Sequence, residues 1–224
     1  MKEIIVNEYP KSSITEAIKT IKTNLRFSSV NEKIKTILVT SSTAGEGKSF
    51  ISANLAVSFA NSSNKVLIID CDLRKGRQYD IFDPKSKLGL SNLLIDENWK
   101  KNIGNYIQPT QIENLDILTT GEFPPDPTIL LESPKMTSIM EELKKKYEMI
   151  ILDTPPVIGL TDTLIMSRLV DNVLIIARAR KTTLEALENT KESLQKVNAN
   201  IAGVILNRVD RKNNKYYNTY YQES

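Results

Sequence analysis

The chain has 224 residues, 40% of them hydrophobic and 25% charged, and a formal net charge of +3. That is the profile of one large soluble globular domain, with too little charge to argue for a nucleic-acid partner. It has no histidine and one cysteine, Cys71, which excludes histidine acid–base chemistry, histidine metal sites, Ser-His-Asp triads and any internal disulfide, and fits a reducing cytosol. No apolar run approaches the roughly 20 residues of a membrane span, and the first residues, Met1-Lys2-Glu3-Ile4, lack the apolar stretch of a signal peptide.

In chain order, Ser13-Ile14-Thr15-Glu16 reads as a capping box that opens a helix to about Phe27, with Ile14, Ile18, Ile21 and Leu25 on one face. Residues 37–40 read as a first strand, followed by a loop of small residues and a helix-like run over 50–60. A second strand covers 66–70. Residues 80–114 hold only short apolar pieces, which predicts helical turns and loops over one sheet edge. Strands at 115–118 and 149–152 flank a helix that Ser133-Pro134 starts and that runs to Tyr147. A strand at 173–177, a capping box Thr182-Thr183-Leu184-Glu185 opening a helix, and a strand at 202–206 complete the series. The strands are short and continuously apolar, as expected of strands covered on both faces. Their alternation with helices predicts an α/β fold with a doubly wound, mostly parallel sheet over residues 1–207. Residues 208–224 carry almost no aliphatic side chain and read as a flexible tail.

Three strand ends carry chemistry. The loop Ser41-Ser42-Thr43-Ala44-Gly45-Glu46-Gly47-Lys48-Ser49 joins strand to helix, an arrangement that cradles a nucleotide phosphate chain. Loop amides and the helix N-terminus would face the phosphates, Lys48 would reach the outer ones, and the Ser49 hydroxyl would ligate Mg²⁺. The usual first glycine of such loops is Ser42 here. The second strand ends in Asp70-Cys71-Asp72-Leu73-Arg74 and the strand at 149–152 runs into Asp153-Thr154-Pro155-Pro156. In an open α/β sheet, ligands bind beyond the carboxyl ends of the strands, so Asp70, Asp72 and Asp153 belong beside the phosphate loop. Carboxylates there hold Mg²⁺, usually through water. Each motif alone has a plain alternative as a capped or solvated turn.

Together the motifs resemble the modified Walker A, Walker A′ and Walker B sequences of bacterial tyrosine kinases, a P-loop NTPase fold of the deviant Walker A type. Glu16-Ala17-Ile18-Lys19-Thr20-Ile21-Lys22 is similar to that family's oligomerisation helix, with Lys19 and Lys22 where arginines are usual. Lysine keeps the charge and loses the bidentate fork. Gly121-Glu122-Phe123-Pro124-Pro125-Asp126-Pro127, Thr161-Asp162 and Gly203-Val204-Ile205-Leu206-Asn207 also match, with Asp126 in place of an asparagine, Ala44 in place of a proline of the phosphate loop, and Gly76 where proline commonly follows the basic pair. The resemblance implies ATP and Mg²⁺ as cofactors. It implies ATP contacts from Ala44, Gly45, Glu46, Gly47, Lys48, Ser49, Phe50, Asn207 and Arg208, and metal contacts from Ser49, Asp72 and Asp153. It also implies a cytosolic kinase subunit of capsule or exopolysaccharide synthesis. Such a subunit forms a homo-oligomeric ring and is recruited to the membrane by a separate transmembrane activator, and it phosphorylates itself and other tyrosine-containing proteins.

The proposed reaction passes the γ-phosphoryl group of ATP to a tyrosine hydroxyl. Lys48, Asp70, Asp72 and Asp153 form the catalytic set, with Asp70 or Asp72 orienting or deprotonating the acceptor. Arg74, Lys75 and Arg77 either steady the acceptor or the phosphates or form a solvated turn. Tyr216, Tyr217, Tyr220 and Tyr221, half of the chain's eight tyrosines, sit in the polar tail as candidate acceptors or as anchors for a partner groove. From Asn207 to Tyr216 the chain extends at most about 30 Å, which allows transfer within one chain or between neighbours. Cys71 reads as a buried strand residue or a redox switch. Two rivals remain at this level: a partitioning or positioning ATPase, whose signature lysine position is held by Thr43, and a non-catalytic nucleotide switch.

Overall fold

The structure is a computed structural model that describes residues 3–27, 34–62 and 64–210. Seven strands form one sheet: β1 (Thr36–Ser41), β2 (Val66–Asp70), β3 (Gln108–Pro109), β4 (Leu115–Leu118), β5 (Met149–Asp153), β6 (Asn172–Arg178) and β7 (Ile201–Asn207), in the order β3-β4-β2-β5-β1-β6-β7. Every pairing is parallel except β3 with β4. β3 escapes a sequence reading because it is two residues long and one of them is Pro109, tolerated at a sheet edge because that side needs no donor.

Helices cover both faces: α1 (Ile5–Glu8), α2 (Ser13–Phe27), α3 (Lys48–Ala60), α4 (Gln78–Phe82), α5 (Leu90–Ile95), α6 (Trp99–Asn102), α7 (Pro127–Glu132), α8 (Pro134–Lys146), α9 (Asp162–Ser167) and α10 (Leu184–Lys196). Strand alternation divides the core. Ile37, Val39, Ile68, Ile151 and Ile176 pack with Leu55 and Phe59 of α3 and Ile18 of α2, while Leu38, Leu67, Ile69, Ile150, Leu152 and Ile175 pack with Ile139 and Leu143 of α8 and Leu194 of α10. Residues 78–109 fold as short helices and turns ending in the edge strand β3, as their broken apolar pattern predicts. β7 departs from the expectation of strands covered on both faces, with Val204 and Leu206 exposed. It is the other edge of the sheet, with β6 as its only strand neighbour among the described residues.

Two helix starts sit one residue from their expected caps. The Ser12 hydroxyl, not that of Ser13, accepts from Thr15 N (3.2 Å), and the Ser12 carbonyl accepts from Glu16 N (3.1 Å). At α10 the capping hydroxyl is that of Thr183, which accepts from Ala186 N (3.1 Å), and Thr182 is left for another task. Adjacent Ser or Thr pairs offer the same side-chain chemistry in either register, so only the packed helix chooses between them. The cap of α8 is Ser133, as read from the sequence.

The pairing register builds the site. Asp70 stands opposite Asp153 across β2 and β5, and Val39 stands opposite Asp153 across β1 and β5. Two carboxylates and the root of the phosphate loop therefore emerge together from three adjacent central strands. Leu38, with no exposed surface, holds β1 against the α8 face. Leu38→Ala is expected to cost about 2–5 kcal/mol, read as a lower urea midpoint with an unchanged slope.

Candidate active site

The phosphate loop is held by its own glutamate. Glu46 has no exposed surface, and its carboxylate accepts from Ser42 N (3.0 Å), Thr43 N (3.3 Å), Thr43 Oγ1 (3.0 Å) and Thr182 Oγ1 (2.5 Å). The side chain therefore faces into the protein, and what residue 46 can offer a phosphate is its backbone. The Glu46 carbonyl accepts from Asn207 Nδ2 (2.9 Å), which ties the loop to the end of β7. Gly47, at φ +102°, is needed on two counts: the left-handed backbone, and a Cβ that would fall 2.1 Å from Asn207 Nδ2. Ser42 stands where a glycine is usual without strain, because its φ is not positive, and its buried hydroxyl accepts from Thr190 Oγ1 (2.9 Å). Lys48 is buried at the start of α3, and the Lys181 ammonium rests on the Ala44 carbonyl (2.8 Å).

The carboxylates lie beside this loop. Asp70 is buried; its oxygens accept from Asp72 N (3.1 Å) and Gln78 N (2.9 Å). Burial, and then the nearby charge of Asp153, push the Asp70 carboxyl well above the ordinary range. Asp153 is also buried and raised by its burial, against the opposing influence of the Ser49 hydroxyl, the Gln78 amide and the Lys48 charge. Its Oδ2 accepts from Gln78 Nε2 (2.8 Å), whereas its Oδ1 and Gln78 Oε1 are buried acceptors with no hydrogen-bond donor among the described residues. Asp72 is half-buried and faces the cleft, its Oδ1 accepting from Arg74 N (3.3 Å) and Lys75 N (2.9 Å). Cys71 is wholly buried between them and its thiol is pushed well up by burial, which favours the structural role over a redox switch.

A cleft of about 1120 Å³ runs from the phosphate loop to α2. Lys48, Ser49, Asp72, Arg74, Pro155 and Asn207 line one part of it, and Ile14, Ile21 and Ile205 another. Phe50 and Arg208 line it too. The Asn207 amide is already engaged at both ends, since its Oδ1 accepts from Arg208 N (2.8 Å). One donor hydrogen and one lone pair are left for a ligand.

Two of the three basic residues after Asp72 have acidic partners. Arg74 forks onto Asp162, Nε to Oδ2 at 2.7 Å and a terminal nitrogen to Oδ1 at 3.1 Å, and Thr128 Oγ1 donates to the same carboxylate at 2.8 Å. Arg77 pairs with Glu3 (2.8 Å). On α2, Glu16 and Lys19 form an exposed ion pair (2.7 Å), while Lys22 donates to Ser58 O (2.9 Å) and Ser62 Oγ (2.8 Å) at the end of α3. Among the described residues no three Cys, Asp or Glu side chains form a metal cage, and no helix is long and apolar enough to cross a membrane. Tyr216, Tyr217, Tyr220 and Tyr221 lie outside the described residues.

Strand–loop–helix with Gly-Lys-Ser, and aspartates on the neighbouring strand ends, define a nucleotide-binding P-loop protein. Residues 34–205 match the family model described as an AAA domain. The chain is 35% identical over 219 residues to the tyrosine-protein kinase YwqD of Bacillus subtilis, covering 98% of this chain and 91% of that protein. Among solved structures, the chimerical protein CapA2B2 superposes with a TM-score of 0.88 at 36% identity, over 94% of this chain and 92% of that one. The kinase domain of the Escherichia coli tyrosine kinase ETK gives 0.84 at 30%, over 92% and 82%. The chain belongs to the bacterial tyrosine kinases. A weaker likeness, TM-score 0.66 at 24% identity, to the septum site-determining protein MinD of Pyrococcus horikoshii reflects the shared fold.

The structure sets Asp70, Asp72 and Asp153 beside the phosphate loop, the neighbourhood expected from the strand ends. Sequence reading missed Gln78, which bridges Ser49, Asp70 and Asp153, and the Glu46–Thr182 clamp. Gln78 belongs to no motif, and although Glu46 and Thr182 each fall within one, nothing in either motif marks their pairing across 136 residues.

Glu46→Ala leaves two backbone N–H groups and the hydroxyls of Thr43 and Thr182 without their acceptor; it is expected to cost about 3 kcal/mol and to weaken ADP binding, read by thermal unfolding with and without ADP. Burial raises the Asp162 carboxyl, but hydrogen bonds from Arg74 and Thr128 and the Arg74 charge outweigh it and hold the group below its ordinary value. Its contribution to stability is therefore present above the unfolded-state pKa of about 4 and is lost as the pH falls through the depressed folded value. Asp162→Asn is expected to be less stable than wild type at neutral pH, with the gap closing in acid, as urea unfolding across that range would record.

Proposed function

We propose that the chain is an ATP-dependent protein tyrosine kinase whose acceptors include Tyr216, Tyr217, Tyr220 and Tyr221. The observation that carries this reading is the convergence of Lys48, Ser49, Asp72 and Asp153 at the ends of three adjacent strands, in a chain whose relatives are named tyrosine kinases. A partitioning ATPase is disfavoured because Thr43 holds the signature-lysine position and spends its hydroxyl on Glu46.

The tyrosine oxygen forms the new bond to the γ-phosphorus, the bridge to the β-phosphate breaks, ADP leaves, and the hydroxyl proton passes to a carboxylate. Lys48 and the amides of residues 45–49 hold the phosphates and stabilise charge on the transferring group. Asp153 Oδ1, buried and without a donor, and the adjacent Ser49 hydroxyl fit a hard divalent cation that takes its remaining ligands from water and phosphate. Held by Ser49 and Asp153, Mg²⁺ would supply positive charge that offsets the charge of the phosphates. Asp72 is the third residue assigned to it. The proton-accepting element is the Asp70–Asp72 pair. Asp72 lines the cleft, and the Asp70 carboxyl behind it is raised by its burial and by Asp153, which favours its taking up a proton. Proton transfer late, as the P–O bond forms, suits a phenol whose pKa is about 10. The Asn207 amide edge and Arg208 are assigned to the adenine end of the nucleotide.

The same reading extends to the assembly. The exposed Glu16–Lys19 pair on α2 is available to a neighbouring subunit, while Lys22 already serves the end of α3, so ring contacts would rest more on the first two. Phosphorylation between neighbours in such a ring, activation by the tail of a transmembrane partner, a cytoplasmic position at the membrane face and a role in capsule or exopolysaccharide synthesis follow from the family resemblance.

With Mg·ATP and an activator peptide, mass spectrometry of the last peptide should find phosphate on residues 216–221. Lys48→Met should lower that transfer by at least about 100-fold. Changing the four tail tyrosines to Phe should abolish the tail label while leaving ADP affinity unchanged. Each phosphate adds about −1.5 to −2 charge, so the fully phosphorylated protein is expected to sediment as a smaller species than the unmodified one; an unchanged mass would count against control of assembly by tail charge.

A further inference from the structure

Gln78 belongs to no motif, yet it sits among the carboxylates. It has no exposed surface. Its Nε2 donates to Asp153 Oδ2 (2.8 Å) and to the Ser49 carbonyl (3.1 Å), and its backbone N–H donates to Asp70 Oδ2 (2.9 Å). These partners fix the amide, because turning it over would set Oε1 against two acceptors. Oε1 is thereby left without a donor, as is Oδ1 of the aspartate that Gln78 grips. Two buried acceptors, on side chains that are hydrogen-bonded to each other, find no donor among the described residues, and buried acceptors of this kind are rare unless something else satisfies them.

The turn that delivers Gln78 is built for closeness. A Cβ on Gly76 would fall 2.1 Å from Thr120 Cγ2 and 2.6 Å from Asp70 Oδ2. With glycine there, the segment after Arg74 folds back over the ends of β2 and β5, and residue 78 lands between their carboxylates. The residue type suits the place. A neutral amide donates to one carboxylate and still has an acceptor to present, whereas an acid would add a further negative charge beside Asp70 and Asp153, and an apolar side chain would offer neither.

We propose that Gln78 is a positioning residue for the metal–nucleotide site: Nε2 anchors Asp153 Oδ2 so that Oδ1 faces a divalent cation, and Oε1 accepts a hydrogen bond from water carried by that cation. This rests on the reading of the site as one for a magnesium-bound nucleotide. Groups that orient a metal-holding side chain govern metal affinity, whereas a merely structural amide would affect the empty and metal-loaded protein alike.

The test compares full-length wild type with Gln78→Met, which keeps the length without the polar atoms, and Gln78→Asn, which keeps the amide but is too short to reach both partners. Affinity for a fluorescent ADP analogue is measured in Mg²⁺ and in EDTA, with circular dichroism to confirm folding. Both variants are expected to lose about 10- to 100-fold in the Mg²⁺-dependent part of the affinity, to require more Mg²⁺ for half-saturation, and to match wild type in EDTA. Equal losses in Mg²⁺ and EDTA, a wild-type Mg²⁺ response in both variants, or loss of folding in both would overturn the inference and leave the kinase reading intact. Wild-type protein that binds ADP no better in Mg²⁺ than in EDTA would remove that reading and this inference with it.

Discussion

The constraint on which the molecule turns is the register between β2 and β5, which stands Asp70 beside Asp153 at the carboxyl end of the sheet. Two buried like charges repel, and burial raises both. The surroundings are organised around that tension. Backbone N–H groups take both Asp70 oxygens, the Gln78 side-chain amide donates to Asp153, and a lysine adds opposite charge. A site of this kind is suited to a cation and a polyanion together, because each relieves the charge that the other faces.

The phosphate loop is a second solution to a related problem. A loop that must present its amides to a ligand cannot spend them on itself, yet it must not collapse. Here a buried glutamate takes the amides of Ser42 and Thr43 at the loop's entrance and anchors to Thr182 in the turn that follows the neighbouring strand β6. Asn207 holds the Glu46 carbonyl from the other side, through space that only Gly47 leaves open. Rigidity comes from side chains behind the loop, and the amides nearer Lys48 remain for phosphate. The same clamp uses up Thr43, the position at which a partitioning ATPase would project a lysine.

Arg74 illustrates how one motif serves two ends. It follows Asp72 on the turn that borders the cleft, and its guanidinium forks onto Asp162 at the start of α9 while Thr128 of α7 donates to the same carboxylate. The turn that carries Asp72 is thereby tied to two helices on the rim of the site. Lysine would supply the charge at that position but not the planar pair of hydrogen bonds.

The parallel sheet, the phosphate loop and the three aspartates were legible in the chain itself, because continuous apolar runs ending in Asp or in Gly-Lys-Ser encode strand, end and chemistry within a few neighbouring residues. Helix faces such as Ile18 and Leu25 were legible for the same reason, since periodicity is local. What required the folded molecule was anything made by residues far apart in sequence. Adjacent hydroxyls at 12–13 and 182–183 carry no mark of which one caps, and the edge position of β7 depends on where six other strands lie. Gln78 is an ordinary polar residue until a turn permitted by Gly76 sets it between Asp70 and Asp153. A local pattern can specify what an element is and what its end carries; which side chains meet there is decided by register and packing, which no short stretch of the chain contains.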